Sequence, residues 1–278
     1  RRSMRVILVP VADRPECARA LNTAFELGKK LNASVSGCHI RPHKESDLTL
    51  SSEFAAAAWR KKSTAKAPAA AETLYKKIAE EHGYEMISHA RAEPGAMWAE
   101  RVGSPDKVMG IVGPIVDLIV VSRPKRPNGV ARVFVDTALM RGSCPVLLLP
   151  QTGRGKLGER ICIAWDQGPR VARTVKASIP LLQQAAEITI VTCGPEDRPG
   201  PKASQLRAYL KHWGIKAKHV RTRGRHIESE LMDACQEAKA DLIVSGAYSR
   251  QRWYEKVLGG TTEFLIHDAR LPVLMQHV

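Results

Sequence analysis

Gly246, Gly259 and Gly260 flank a polar loop that ends in Thr261 and Thr262, and these are the residue types in the chain best suited to phosphate chemistry. Glycine permits close backbone approach, and the free N–H groups of a first helical turn attract anions. Gly246-Ala247-Tyr248-Ser249 follows an apolar run, nine residues from Arg250 to Leu258 intervene, and Gly259-Gly260-Thr261-Thr262 opens a helix-forming stretch. The threonine hydroxyls add donors, and Arg250, Arg252 and Lys256 bring positive charge within reach of an anionic tail. The same residues also suit a plain tight turn with Thr261 as a helix cap, so spacing alone leaves both readings open.

Other chemistries find no frame. There is no Gly-x4-Gly-Lys-Ser/Thr loop, no His-Glu-x-x-His pair and no Gly-x-Ser-x-Gly nucleophile turn. Gly153-Arg154-Gly155-Lys156-Leu157-Gly158 has dinucleotide-motif spacing but leads into a strand at Arg160 instead of a helix, so it reads as linker. The nine histidines are isolated, and His267 and His277 read as end-of-element or surface residues. Six cysteines without Cys-x-x-Cys spacing, several inside apolar runs, argue against a disulfide framework and against zinc.

The elements that must position the loop occur twice. DLIVVS at Asp117–Ser122 leads to CPVLLLP at Cys144–Pro150, and DLIVSGAYS at Asp241–Ser249 leads to LPVLMQH at Leu271–His277. RVILVPV at Arg5–Val11 and RICIAW at Arg160–Trp165 open the two halves, each followed by a helix-length amphipathic stretch. Second strands fall at Val35–Ile40 and Ile188–Cys193, and third strands at Glu85–Ala90 and Lys216–Arg221. Helices are expected at Ala69–His82, Ala203–Trp213 and Ile227–Ala238, the first two stopped by Gly83 and Gly214.

Strands that are nearly all Val, Ile and Leu are buried on both faces, as in a parallel sheet covered by helices. The expected fold is therefore α/β: two repeated doubly wound domains, each an open, mainly parallel five-stranded sheet with helices on both faces. The domains are 1–150 and 160–278, joined by a short polar linker at Gln151–Glu159. In such sheets ligands collect beyond the carboxyl ends of the strands, where strand order reverses, so the exits of the first and fourth strands are the places to look.

Composition, 44% hydrophobic and 26% charged, is that of a globular protein with no run long enough to cross a bilayer, and a cytoplasmic location is expected. The net charge of +15 is gathered in short clusters at Arg60–Lys62, Arg123–Arg126 and Lys216–His226. Aromatics make up only 5% and do not interleave with these clusters, which disfavours nucleic acid and leaves most of the charge as solvated surface.

With these residues in view, the chain resembles a tandem universal stress protein over nearly its whole length. Nucleotide-binding members carry Gly, two residues, Gly, nine residues, Gly and then Ser or Thr after the fourth strand. Gly246 and Gly259 match the first and third glycines; Ser249 stands at the second, and Gly260 stands at the Ser/Thr place with Thr261 one residue later. Glu263–His267 and Leu271–Met275 follow the family's last helix and strand. The resemblance also implies that Asp166, in Ile163-Ala164-Trp165-Asp166, holds the adenosine part together with backbone at Val191 and Thr192. Asp166 equally suits a cap for the helix near Gly168. Trp165 replaces a small residue and either lines the adenine pocket or blocks it.

The first half departs from this pattern. Ser122-Arg123-Pro124-Lys125-Arg126-Pro127-Asn128-Gly129 lacks the exit glycine and is about three residues shorter. Arg132 and Val133 fall where the second half has Gly259 and Gly260, and a Val at a turn resists positive φ. Asp13 comes later than Asp166 does. Trp98, Glu100 and Gly103 resemble a signature of first domains and are expected to pack and turn.

The resemblance implies a non-enzymatic stress-response protein binding an adenine nucleotide, ATP foremost, in its second domain, with Mg2+ only if the nucleotide carries it. The first domain is then its structural partner. A nucleotide-free interaction protein of the same family is the alternative. The apolar last strands, Val146–Leu149 and Val273–Met275, are expected to pair within the chain, leaving homodimerisation open.

Overall fold

A computed structural model describes residues 3–12, 14–41, 67–125, 130–151, 157–247 and 260–277. The chain divides into two units, Ser3–Gln151 and Thr152–Val278. The first holds β1 (Val6–Pro10), α1 (Pro15–Leu31), β2 (Ser34–Arg41), α2 (Ala67–Glu81), β3 (Ala96–Val102), α3 (Pro105–Val112), β4 (Leu118–Ser122), α4 (Val130–Arg141) and β5 (Val146–Leu149). The second holds β6 (Arg160–Ala164), α5 (Pro169–Ala177), α6 (Ile179–Leu182), β7 (Glu187–Cys193), α7 (Ala203–Lys211), β8 (Lys218–Thr222), α8 (Ile227–Glu237), β9 (Leu242–Gly246), α9 (Gly260–His267) and β10 (Val273–Gln276).

Strand order is β3-β2-β1-β4-β5 in the first unit and, counted the same way, β8-β7-β6-β9-β10 in the second. Every pairing within a unit is parallel, which requires a crossover between successive strands and explains the alternation with helices. Chain direction across the sheet reverses between β1 and β4, and between β6 and β9, so each unit has one switch point. Ile7, Val9, Leu118–Val120, Ile161–Ile163 and Leu242–Val244 are almost wholly buried, as expected of central strands covered on both faces.

The repeated Asp of the two DLIV runs has a structural task. Asp117 Oδ2 accepts the backbone N–H groups of Arg5 and Val6 at 2.7 and 3.0 Å. Asp241 accepts those of Gly158, Glu159 and Arg160 at 2.8, 2.9 and 3.2 Å. In each unit this carboxylate ties the start of the first strand to the start of the fourth.

Helix ends follow residue chemistry. Pro15, Pro105 and Pro169 begin α1, α3 and α5, where a missing N–H costs nothing. Ser104 caps α3 by accepting the Lys107 N–H at 3.3 Å. Gly83 and Gly214 follow α2 and α7 with φ of 69° and 73°, the left-handed conformation that stops a helix.

One expected strand is misplaced. Glu85–Ala90 alternates in polarity, yet only Met86 forms an isolated bridge, to Ala96, and the third strand is Ala96–Val102. That segment pairs with β2 through seven registered residues and lays Trp98 on Tyr75, ring centroids 5.3 Å apart. Residues 85–90 are mostly exposed and have no such packing partner. In the second unit the third strand shifts by two residues at its start, to Lys218. Glu100 pairs with Arg41, and Gly103 turns the chain at φ 145°, as packing and turn roles require.

Val133 is a further correction: it lies inside α4, not at a turn, and its carbonyl accepts the Thr137 hydroxyl at 2.6 Å. A helical residue keeps negative φ, so the β-branched side chain meets no conflict there. Asp13 and residues 126–129 lie outside the described residues.

Candidate functional site

The switch point of the second unit lies where β6 and β9 run side by side, Ile163 opposite Val244. The chain leaves β6 at Ala164 and β9 at Gly246. Sequence-predicted residues Ala164, Asp166 and Gly246 therefore share one end of the sheet, with Val191 beside Ala164 in the neighbouring strand. Gly260, Thr261 and Thr262 open α9, which follows β9 in the chain. Ser249, Arg250 and Gly259, with Arg252 and Lys256, lie outside the described residues.

Gly246 is glycine for packing. A Cβ there would lie 2.8 Å from the backbone nitrogen of Val171 and 3.0 Å from Cβ of Arg170, so the first turn of α5 presses directly on the β9 exit. Arg170 is thereby brought to the switch point, a position that gave no signal in the sequence. Burial pushes the His277 imidazole below its ordinary pKa; hydrogen bonding to the Ala247 carbonyl opposes this, while Arg170 and Arg173 add to it. Positive charge thus does gather at this exit.

At α9, Thr261 Oγ1 donates to Glu228 Oε1 at 3.2 Å, and a Cβ on Gly260 would sit 3.3 Å from the same oxygen. Thr262 is buried. Glu228, in the first turn of α8, therefore places a carboxylate where the helix dipole favours an anion. It was not a sequence candidate.

Asp166 makes a local turn. Its Oδ1 accepts the Gly168 N–H at 2.8 Å, and Oδ2 lies 3.7 Å from Arg198 Nη1, with both side chains more than half exposed. The residue preceding α5 is Gly168, without a side-chain cap, so Asp166 is not the helix cap that its position allowed. Val191 O accepts the Trp165 N–H at 2.9 Å, and Thr192 Oγ1 lies 2.9 Å from His219 Nε2; both groups are engaged within the sheet.

Between these residues a clamp closes the β6 exit. Trp165 is buried and its indole N–H donates to Pro201 O at 2.8 Å. Gln167, at φ 62°, donates from Nε2 to the carbonyls of Arg198 and Gly200 at 3.1 Å each and accepts the Arg198 N–H at 3.2 Å. A Cβ on Gly200 would come within 2.0 Å of Gln167 O. The stretch after β7 is thus fastened over the stretch after β6.

The first unit fills its own exit. Ser122 Oγ donates to Glu16 O at 2.7 Å, the Arg19 guanidinium donates to Pro150 O, and the Gln151 amide donates to Arg123 O. Arg123 itself is only 4% exposed, so a charged side chain occupies the ground where the second unit has Gly246 and Ala247. Among the described residues, no group of three His, Cys, Asp or Glu stands ready to hold a metal, and no helix is long and apolar enough to cross a membrane.

Residues 182–277 match a model of the universal stress protein family. Over the whole chain the fold is similar to a universal stress protein from Archaeoglobus fulgidus DSM 4304, at 15% identity and TM-score 0.69, covering 99% of this chain and 97% of that one. It is similar also to a putative universal stress protein from Pseudomonas aeruginosa UCBPP-PA14, at 15% identity and TM-score 0.57, covering 99% and 93%. A functionally unknown protein from Pseudomonas aeruginosa PAO1 gives 15%, 0.58, 99% and 92%. No curated protein matches the sequence. The chain is thus an α/β protein with the doubly wound fold of these structures, and the match to the family's sequence pattern lies within its second unit, at residues 182–277.

Proposed function

We propose that the chain is a tandem universal stress protein whose second unit binds an adenine nucleotide, ATP foremost, and acts as a sensor instead of an enzyme. The supporting observation is the meeting of Asp166 and Gly246 at one switch point, inside a unit whose residues 182–277 match the family. The phosphates would lie toward Gly260, Thr261 and Thr262, and Arg170 brings positive charge to the β9 exit. These residues would fit a polyphosphate once Glu228 releases Thr261; if Mg2+ came with the nucleotide, Glu228 would be the carboxylate to hold it, and the ion would supply the positive charge that offsets the phosphates. The first unit serves as the structural partner.

The experiment is the nucleotide content of the purified protein after acid release, compared with an Asp166→Ala variant. Near-stoichiometric adenine nucleotide in the parent and loss in the variant, with melting unchanged, supports the reading. An empty parent that takes up no added ATP overturns it. Glu228→Gln is expected to tighten ATP and weaken its dependence on Mg2+, since a resident negative charge is gone. Titration with and without EDTA checks this.

A second reading, a nucleotide-free interaction protein of the same fold, is favoured by the clamp of Trp165 and Gln167 over the β6 exit. The release experiment separates the two.

A further inference from the structure

From Lys202 to His226 the chain carries eight Lys and Arg residues and no Asp or Glu, so more than half of its net charge of +15 lies in this one stretch. The fold lays much of it along β8, the outermost strand of the second unit's sheet, which pairs with β7 on one side only. Lys218, His219, Val220 and Arg221 are all exposed, so much of this strand is left open to solvent. Lys216 precedes the strand, and Arg223 and Arg225 follow it, all three exposed.

The nearby carboxylates are already committed. Glu187 holds Lys218 at 2.8 Å and Arg160 at 2.9 Å. Glu230 accepts the backbone N–H groups of Gly224, Arg225 and His226 at 2.6, 2.8 and 2.9 Å. Glu196 accepts the Ala203 N–H. Among the described residues, Lys216, Arg223 and Arg225 have no ion-pair partner.

An open edge offers unpaired backbone N–H and C=O groups to another extended chain, and basic side chains along it select the charge of that chain. A second copy of the same edge is repelled by like charge. A nucleic acid would meet the cations but leave the backbone groups unused, and no Phe, Tyr or Trp lies on the strand for base stacking.

We propose that the β8 edge docks an extended acidic polypeptide segment, which adds a strand beside β8 while its carboxylates meet Lys216, Arg223 and Arg225. The proposal does not rest on the nucleotide reading.

The test titrates the full chain with a labelled peptide of alternating glutamate and valine, about six residues long, followed by fluorescence anisotropy and hydrogen exchange. Three further probes are the peptide N-methylated at alternate residues, its lysine counterpart, and a single-stranded oligonucleotide. The acidic peptide is expected to bind saturably, weaken with salt and protect β8 amides, while the methylated and lysine peptides fail. A Lys216→Glu, Arg223→Glu double variant, folded by circular dichroism, is expected to bind about tenfold more weakly. No binding of the acidic peptide, equal binding of its methylated form, or binding by the oligonucleotide alone overturns the proposal.

Discussion

Gln167 does more for the second unit than its surface-type side chain suggests. It is 5% exposed, holds a positive φ of 62° and joins two loops through three hydrogen bonds. Left-handed backbone disfavours any side chain other than glycine, so the strain persists only because those bonds over-determine the conformation. Gln167→Ala keeps the strain and removes all three bonds to Arg198 and Gly200. It is expected to cost about 1–3 kcal/mol in urea unfolding; a loss below about 0.5 kcal/mol would mean that the clamp contributes little. No sequence pattern announced this residue, because its partners lie more than thirty positions away.

Among the elements, the stretch after β8 is held by a single carboxylate. The Thr222 hydroxyl beside it, and then the backbone N–H groups of His226, Gly224 and Arg225, pull the Glu230 pKa down to about 2. A carboxylate lowered from its ordinary value of 4.5 stabilises the fold fully above that value, and the contribution is lost as pH falls toward the folded value. Acid melting curves between these limits are expected to be shallower for Glu230→Gln than for the parent, with the two proteins converging at the acid end. Identical pH dependence would refute the anchoring role.

The same scale shows what sequence could and could not disclose. The central strands β1, β4, β6 and β9 were legible because runs of Val, Ile and Leu without polar alternation have few other uses. β3 was not, because its identity rests on Trp98 meeting Tyr75, a contact that depends on where α2 packs. At the site, Gly246 was legible as a glycine of consequence, but its reason, the pressure of α5, was tertiary. Glu228 was invisible for the same cause, since nothing local marks a residue thirty-three positions before Thr261 as its partner.

For the molecule as a whole, one strand order recurs in the two units, whose strand exits are differently furnished. β5 and β10 are the last strands in their units; both are buried, β5 apolar throughout and β10 apolar up to Gln276. Leu274 is wholly buried, so Leu274→Lys is expected to lower the melting temperature and enlarge the hydrodynamic radius. Unchanged values of both in differential scanning calorimetry and analytical ultracentrifugation would mean that this strand tolerates a charge.

The cysteines carry an experimental consequence of the repeat. Each unit holds two buried thiols, Cys38 and Cys144 in the first, Cys162 and Cys235 in the second, and one half-buried thiol, Cys17 or Cys193. Burial pushes Cys38 up to about 11 and Cys144 up to about 12, so neither supplies thiolate at neutral pH while folded. Cys235 is raised too, first by its hydrogen bond with Cys162 and then by burial. Burial raises Cys193 as well, though it is half-buried, so a neutral alkylating reagent should mark Cys17 first, Cys193 next and the buried four only when their unit opens. Peptide mass spectrometry over time would then read two separate clocks, one for the lifetime of each half of the chain.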